Sequence, residues 1–387
     1  MNLLISSGEA SGDIYGSRLL RALSSRRPGT GFFGMGGARL EEAGLERIVP
    51  SEELSVVGIF EVFEKLPAIR RALTVLEQGA RTRRPAAAIL IDFPDFHALL
   101  ASRLVRLGVP LIYYVSPQVW AWRSGRARTI AARARRIITL FPFEVEIYRR
   151  FGADAVCAGH PLVDDVREGL DRPAVLPPPR AGRRRLLLLP GSRRGEIARH
   201  WKPMADAAAR LASRLDLEVV AVRAPGLPKD LFPSAASSGI LLADGGLHRL
   251  LSSSALAFVA SGTATLEAAL CGTPMVVLYR TSAASAAIGR LLIRVPWISL
   301  VNILAGEAVV PELIQNEATA ARLEEEGAAI LESPERALRM RTALAAVAES
   351  LGAPGATERA ADSVLEAIER PGAAGVSGDA RARGGIR

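Results

Sequence analysis

Ser261-Gly262-Thr263-Ala264-Thr265-Leu266-Glu267 stands between two apolar runs, Leu256–Ala260 and Met275–Tyr279. Read as strand, tight turn and helix, it puts small residues and bare backbone N–H groups at a helix N-terminus. The four unpaired donors of a first helical turn and the positive end of the helix dipole make such a turn an anion site. Glu267, one turn into the helix, faces back toward the same crevice, where its carboxylate can accept hydrogen bonds from a ribose diol. A second turn of this kind, Pro190-Gly191-Ser192-Arg193, follows the run Arg185–Leu189 and brings a cation. Together the two turns read as a cradle for a nucleotide diphosphate.

The 387 residues suffice for two domains of ordinary size. A hydrophobic content of 49% with 23% charged residues is that of a globular protein, and the net charge of +9 favours acidic partners. Arginine-rich coding alone can produce that excess, so the charge selects no single partner. Two cysteines, Cys157 and Cys271, and four histidines, His97, His160, His200 and His248, are too few and too scattered for a zinc site. Both cysteines read as buried free thiols in a reducing compartment. The short run Leu3–Ile5 enters a polar turn at once, unlike a signal peptide. No apolar stretch approaches the ~18–20 residues that span a bilayer. A cytoplasmic protein, or one lying on a membrane, is expected.

Short β-type runs alternate with helix-period segments, which predicts an α/β protein of parallel sheets covered by helices. In the first half strands are expected near Asn2–Ser6, Gly31–Gly34, Ala87–Asp92, Leu111–Val115, Ile137–Leu140 and Ala155–Ala158. Helices are expected near Tyr15–Ser25, Ala38–Ala43, Phe60–Arg83, Phe96–Leu107, Ser124–Ala134 and Phe143–Phe151. The proline-bearing segment 171–185 reads as a surface linker. Strands then resume near Arg185–Leu189, Glu218–Val222, Ile240–Ala243, Leu256–Ala260 and Pro274–Leu278. The expected organisation is two doubly wound Rossmann-like domains, 1–170 and 186–370, with a cleft between them and a disordered tail, 371–387. In open α/β sheets the ligand lies at the strand C-termini, so both domains present their turns to that cleft.

Three stretches of the first half carry chemistry. Ser6-Ser7-Gly8-Glu9-Ala10-Ser11-Gly12-Asp13 ends the first strand without matching the dinucleotide fingerprint; Glu9, Ser11 and Asp13 face the crevice, or the loop is simply a tight turn. Ile91-Asp92-Phe93-Pro94-Asp95-Phe96-His97 ends another strand. Asp92 there is placed to act as general base toward a sugar hydroxyl, while Asp95 reads as a helix N-cap and His97 as structural or a reserve ligand contact. Tyr113–Trp122 gathers two of the four tryptophans, suited to stacking on a sugar, lining an acyl channel or packing between domains. Six arginines at 123, 126, 128, 133, 135 and 136 form a phosphate- or membrane-facing surface or a solvated face. Ser55–Leu73 is either core or a segment that meets lipid. Asn302, at the cleft edge, can read a uracil ring through its amide.

In order along the chain, SGEASGD (7–13), IDFPDF (91–96), YVSPQVWAW (114–122), PGSR (190–193), SGTATLE (261–267), PMVVLY (274–279) and NILAG…PELIQ (302–306, 311–315) resemble the lipid-A-disaccharide synthase family. The likeness covers most of the chain; SGTATLE-type turns occur in many nucleotide-sugar enzymes, whereas YVSPQVWAW and SGEASGD are far more particular. It implies a glycosyltransferase-B architecture and an inverting hexosyltransferase that joins UDP-2,3-diacylglucosamine to 2,3-diacylglucosamine 1-phosphate and releases UDP. It implies Asp92 as general base, Arg193 as phosphate ligand, and contacts to UDP from Gly191, Ser192, Ser261, Gly262, Thr263, Glu267, Tyr279 and Asn302. The acceptor side would hold Glu9, Ser11, Gly12, Asp13, Gln118 and Trp120. No cofactor, metal or nucleic acid is expected. The partners are the two sugar substrates and the anionic cytoplasmic face of the inner membrane, with a homodimer left open. His97, Val301 and Glu307 depart from the family's usual asparagine, proline and arginine. Another UDP-sugar enzyme, such as a 2-epimerase or the peptidoglycan N-acetylglucosaminyltransferase, shares the cradle. A basic binding protein without catalysis would leave the two turns and Asp92 without a purpose.

Overall fold

The computed structural model describes residues 1–54, 65–115, 124–179, 182–282 and 296–370. Seven strands form the first sheet: β1 (Asn2–Ser7), β2 (Gly31–Gly36), β3 (Glu46–Pro50), β4 (Ala87–Ile91), β5 (Leu111–Tyr114), β6 (Ala134–Thr139) and β7 (Ala155–Cys157), in the order 3-2-1-4-5-6-7. Six form the second: β8 (Arg184–Leu189), β9 (Leu217–Arg223), β10 (Leu241–Asp244), β11 (Leu256–Ala260), β12 (Met275–Tyr279) and β13 (Glu312–Ile314), in the order 10-9-8-11-12-13. Every paired strand is parallel. Both sheets are therefore doubly wound, with their order reversing between β1 and β4 and between β8 and β11. Those two switch points are where ligands enter open α/β sheets.

The central strands read as unbroken apolar runs because helices cover both their faces; all five residues of β4 and of β11 are buried. Successive side chains alternate faces. Leu3 and Ile5 accordingly join one hydrophobic cluster and Leu4 another. Strands β3 and β13 were not expected from the sequence. Both lie at sheet edges, where a strand needs only one apolar partner: β3 carries Glu46, Arg47 and Pro50, and β13 has three residues. Helix Leu162–Asp171 was also unexpected, although Leu162, Val166 and Leu170 recur at helical spacing.

One correction concerns domain organisation and another the arginine run. The last helix, Ala356–Glu369, expected to close the second unit, packs on the first. Arg26 pairs with Asp362 at 2.6 Å, and both oxygens of Asp164 accept the N–H groups of Gly355 and Ala356 at its N-terminus. Arg136, read among a run of exposed arginines, is buried and fastens this helix. Its guanidinium reaches Asp154 at 2.9 Å, Glu366 at 3.0 Å and the Ser363 hydroxyl at 3.1 Å. The described residues of the linker 171–185 are mostly exposed, as a surface segment should be, and buried Arg185 of β8 donates to its Pro177 carbonyl and pairs with Glu218. Arg136→Met should lower unfolding free energy by about 2 kcal/mol, below the 3–5 of a fully buried pair because Asp154 and Glu366 are half exposed and can hydrate. Urea denaturation checks this; an unchanged midpoint would mean that the last helix is held by its apolar face alone.

Helix Leu66–Arg83 begins inside the Ser55–Leu73 segment. Of the segment's described residues Ala72 and Leu73 are buried, with Ala68 and Ile69 packed against the core, whereas Leu66, Pro67, Arg70 and Arg71 are exposed. Residues 55–64 lie outside the described residues. No helix among the described residues is long and apolar enough to cross a membrane.

Candidate active site

At the β1/β4 switch point the turns 6–13 and 91–97 interlock. Helix Ala10–Arg26 starts directly above the sheet, and Gly12 makes this approach possible: a Cβ there would lie 2.5 Å from the Ser7 hydroxyl. Gly12 is thus a packing position. Asp13 belongs to the scaffold too. It is buried, and its carboxylate accepts the N–H groups of Gly37, Arg39 and Leu40 at 2.8, 3.1 and 3.2 Å, capping helix Ala38–Glu42. A carboxylate engaged by three backbone donors has little left for an acceptor sugar. Glu9 and Ser11 are the polar side chains of this turn that remain at the cleft.

Asp92 follows β4 with a left-handed backbone, φ 52°, as does Phe93 with φ 62°. Such conformations cost an ordinary residue of order 1 kcal/mol or more and persist where the surroundings over-determine them. Here Oδ1 accepts the Phe93 N–H at 2.9 Å and Oδ2 accepts the Ser11 hydroxyl at 3.4 Å. Beneath lies His97, buried, with Nε2 2.9 Å from Ser6 Oγ and its other nitrogen bonded to the Asp92 carbonyl. Burial pushes the imidazole down to about 3, so it is neutral. It therefore holds the Asp92 backbone from below and does not reach an acceptor. Asp95 is not the N-cap; that position is Phe93, and Asp95 sits in the first turn, exposed and paired with Arg126.

Desolvation raises the Asp92 carboxyl above the ordinary value of 3.8, opposed by the Phe93 N–H and the Ser11 hydroxyl. Glu9, at the surface, is raised by what burial it has and by the Asp92 charge, and lowered by Arg193. That last effect crosses the cleft, from the second sheet to the first. A base must be ionised to act, so the acid limb of kcat/KM should lie above the usual aspartate range. Ser11→Ala removes a hydrogen bond that favours the charged form and should move the limb further up. A limb that stays in place would separate Ser11 from the titrating group.

Across the cleft, the β8 and β11 turns differ more than their sequences suggest. After β8, the Glu196 carboxylate accepts the N–H groups of Ser192 and Arg193 at 2.9 and 3.3 Å and pairs with the Arg193 side chain. The chain thus fills the cradle expected around Gly191 and Ser192, and this turn offers its cation. The signal was legible: a glutamate three residues after the N-cap reaches back to it. After β11, Gly262 caps helix Thr263–Leu270 without a side-chain hydrogen bond, and a Cβ at that position would meet nothing within 4 Å. The Ser261 hydroxyl donates to the Ile298 carbonyl, which ties this turn to the next loop.

Glu267 is mostly buried, with Oε1 2.9 Å from His248 Nε2, a partner with no signal in the sequence. Tyr279 ends β12 beside buried His200, whose Nδ1 donates to the Pro190 carbonyl and whose Nε2 accepts the Arg280 N–H. Asn302 is completely buried. Its amide donates to the Val310 carbonyl and to Glu312 and accepts the Val310 N–H, at 2.8–2.9 Å. Its hydrogen bonds go to its own loop and not to a uracil ring. Gln118 and Trp120 lie outside the described residues. Cys157 and Cys271 are free thiols, both half buried. Burial, then the Glu267 charge, pushes Cys271 up to about 12.

Known proteins resemble this chain along nearly its whole length. A family profile described as lipid-A-disaccharide synthetase matches residues 3–364. The lipid-A-disaccharide synthase of Myxococcus xanthus is 43% identical over 376 residues, covering 93% of this chain and 96% of that protein. The enzyme of the same name from Geobacter sulfurreducens is 42% identical, covering 93% and 95%. Among solved structures, UDP-GlcNAc 2-epimerase from Neisseria meningitidis bound to UDP-GlcNAc superposes with a TM-score of 0.65 at 13% identity, covering 95% of this chain and all of that one. The calicheamicin glycosyltransferase CalG4 gives 0.57 at 16% identity, covering 95% and 98%. At such identities the two structures show the fold alone, the two-domain architecture shared by these glycosyltransferases and epimerases.

Proposed function

This chain belongs to the lipid-A-disaccharide synthase family and is a glycosyltransferase of lipid A disaccharide formation, and we propose that it transfers the 2,3-diacylglucosamine unit of UDP-2,3-diacylglucosamine to 2,3-diacylglucosamine 1-phosphate with inversion at C1. The observation that carries the reading is the pairing of Asp92, held by Ser11 and Phe93 at one switch point, with a cation, Arg193, close enough across the cleft for its charge to act on Glu9 against the burial and the Asp92 charge that raise it. Inversion needs that division. The acceptor 6-hydroxyl oxygen attacks C1 from one face and gives its proton to Asp92. The C1–oxygen bond to the diphosphate breaks on the other face, and UDP carries away the electron pair.

Asp92 acts as general base, Glu9 and Ser11 shape the acceptor side, and Arg193 with the N–H groups of the Ser261–Thr263 turn stabilises the departing diphosphate by preorganised charge. Glu267 takes the ribose diol. Neither carboxylate nor cation needs a bound metal for these roles. The acylated substrates require an apolar phase, and the excess of nine positive charges suits a peripheral position on the anionic cytoplasmic face of the inner membrane.

Incubation with both substrates should give a tetraacyl disaccharide 1-phosphate by mass, with the anomeric proton coupling of a β-1,6 linkage by NMR. A product of α configuration would overturn the single-displacement mechanism and with it the role of Asp92.

A further inference from the structure

His248 sits between two residues that belong to different parts of the fold. Its Nε2 is 2.9 Å from Glu267 Oε1. Its Nδ1 edge lies against Gly169, where a Cβ would stand 1.9 Å from Nδ1 and within 3.0 Å of Cγ and Cε1. No other residue fits there without displacing the imidazole. Gly169 lies on helix Leu162–Asp171, which joins the two sheets and is anchored to the first by the Arg18–Asp165 pair and by the Asp164 cap on the last helix. One residue past the helix, the Arg172 carbonyl accepts from Arg249, the neighbour of His248. Glu267 also acts electrostatically on Tyr15 and Asp165 of the first unit, so it stands at the floor of the cleft.

We propose that His248 is a positioning residue for Glu267, that Gly169 sets His248 in turn, and that the nucleotide grip is thereby tied to the helix joining the two sheets. The inference rests on the reading of Glu267 as the ribose ligand. With Oε1 held by His248, the carboxylate is fixed in one rotamer and presents Oε2 to the ribose hydroxyls. Gly169 has no side chain because the imidazole occupies that volume. A shift of the joining helix relative to the second sheet would move His248, and Glu267 with it.

Calorimetric binding of UDP and of 2′-deoxy-UDP to the full chain tests this. The wild-type protein should prefer UDP, and Glu267→Ala should lose that preference. Gly169→Ala and His248→Ala should each lose about tenfold of it, the worth of a hydrogen bond to a charged group. His248→Gln, which retains a donor, should recover most of the preference. In the His248→Ala background, Gly169→Ala should have no further effect, because the group it displaces is gone. A merely structural lesion would lower melting temperature and leave the ribose preference and this non-additivity unexplained. If wild type and Glu267→Ala bind alike, the ribose reading itself fails. If they differ as stated while Gly169→Ala and His248→Ala keep the full preference, the positioning role alone is overturned.

Discussion

Asp92→Asn is expected to reduce kcat by roughly 10²–10⁴-fold, the usual contribution of a general base, with UDP affinity and fold retained. Asparagine fits the same volume. Its amide oxygen can still accept the Phe93 N–H that now bonds Oδ1, and its NH2 can donate to the Ser11 hydroxyl that now donates to Oδ2. What it lacks is a lone pair basic enough to take the proton of a sugar hydroxyl. The stability change has a sign of its own. The folded-state pKa of Asp92 is raised above 3.8, so the protein binds this proton more tightly folded than unfolded. The stability associated with it is complete below the unfolded value and is lost as pH rises through the folded one. At neutral pH the ionised group is a cost, and asparagine removes it. The variant should melt at or above the wild-type temperature at pH 7, by calorimetry. A lower melting temperature with loss of UDP binding would make Asp92 a structural residue.

Asn302→Ala should lower stability by about 3 kcal/mol, because it leaves the buried Val310 N–H and carbonyl without partners and removes a donor to Glu312. The Glu312 carboxylate also holds the N–H groups of Ile298 and Ser299, and the Ile298 carbonyl accepts from Ser261. Loss of the amide therefore spreads through the loop to the turn that faces the diphosphate, and UDP affinity should fall together with stability. Asn302→Asp should be worse than alanine, since it sets a second carboxylate against Glu312 and a carbonyl. Denaturant unfolding and UDP titration on the same variants separate the two accounts. Unchanged stability with weakened UDP binding would restore a direct contact between Asn302 and the base.

The sequence disclosed what local chemistry determines. The apolar runs of the central strands, the turns at 6–13, 91–97 and 261–267, and the reversal of order they imply were all readable, because a strand buried on both faces must be continuously apolar. Edge strands β3 and β13 were not, since β3 mixes Glu46, Arg47 and Pro50 into its run and β13 has only three residues. The place of Asp92 at the cleft could be read because it directly follows a strand that ends at a switch point. Asp13 and Asn302 were read as ligand contacts because a polar side chain near a strand end can serve a ligand or a backbone, and the sequence does not say which; Asp13 serves a segment 24 to 27 residues away and Asn302 its own loop, eight residues on. Only the fold shows that Gly37, Arg39 and Leu40 engage Asp13 and that Val310 engages Asn302. The His248–Glu267 contact, between two side chains 19 residues apart, is likewise visible only in the fold. The last helix was assigned to the nearer unit because sequence adjacency says nothing of a return across the cleft, for which Arg136 and Asp164 are the fastenings.

The most direct test of the central claim is UDP release by the purified protein supplied with UDP-2,3-diacylglucosamine, with and without 2,3-diacylglucosamine 1-phosphate. Release that requires the acceptor, and that Asp92→Asn slows by roughly 10²–10⁴-fold while still binding UDP, is the predicted result. Acceptor-independent release, or conversion of the donor sugar with no UDP set free, would contradict it.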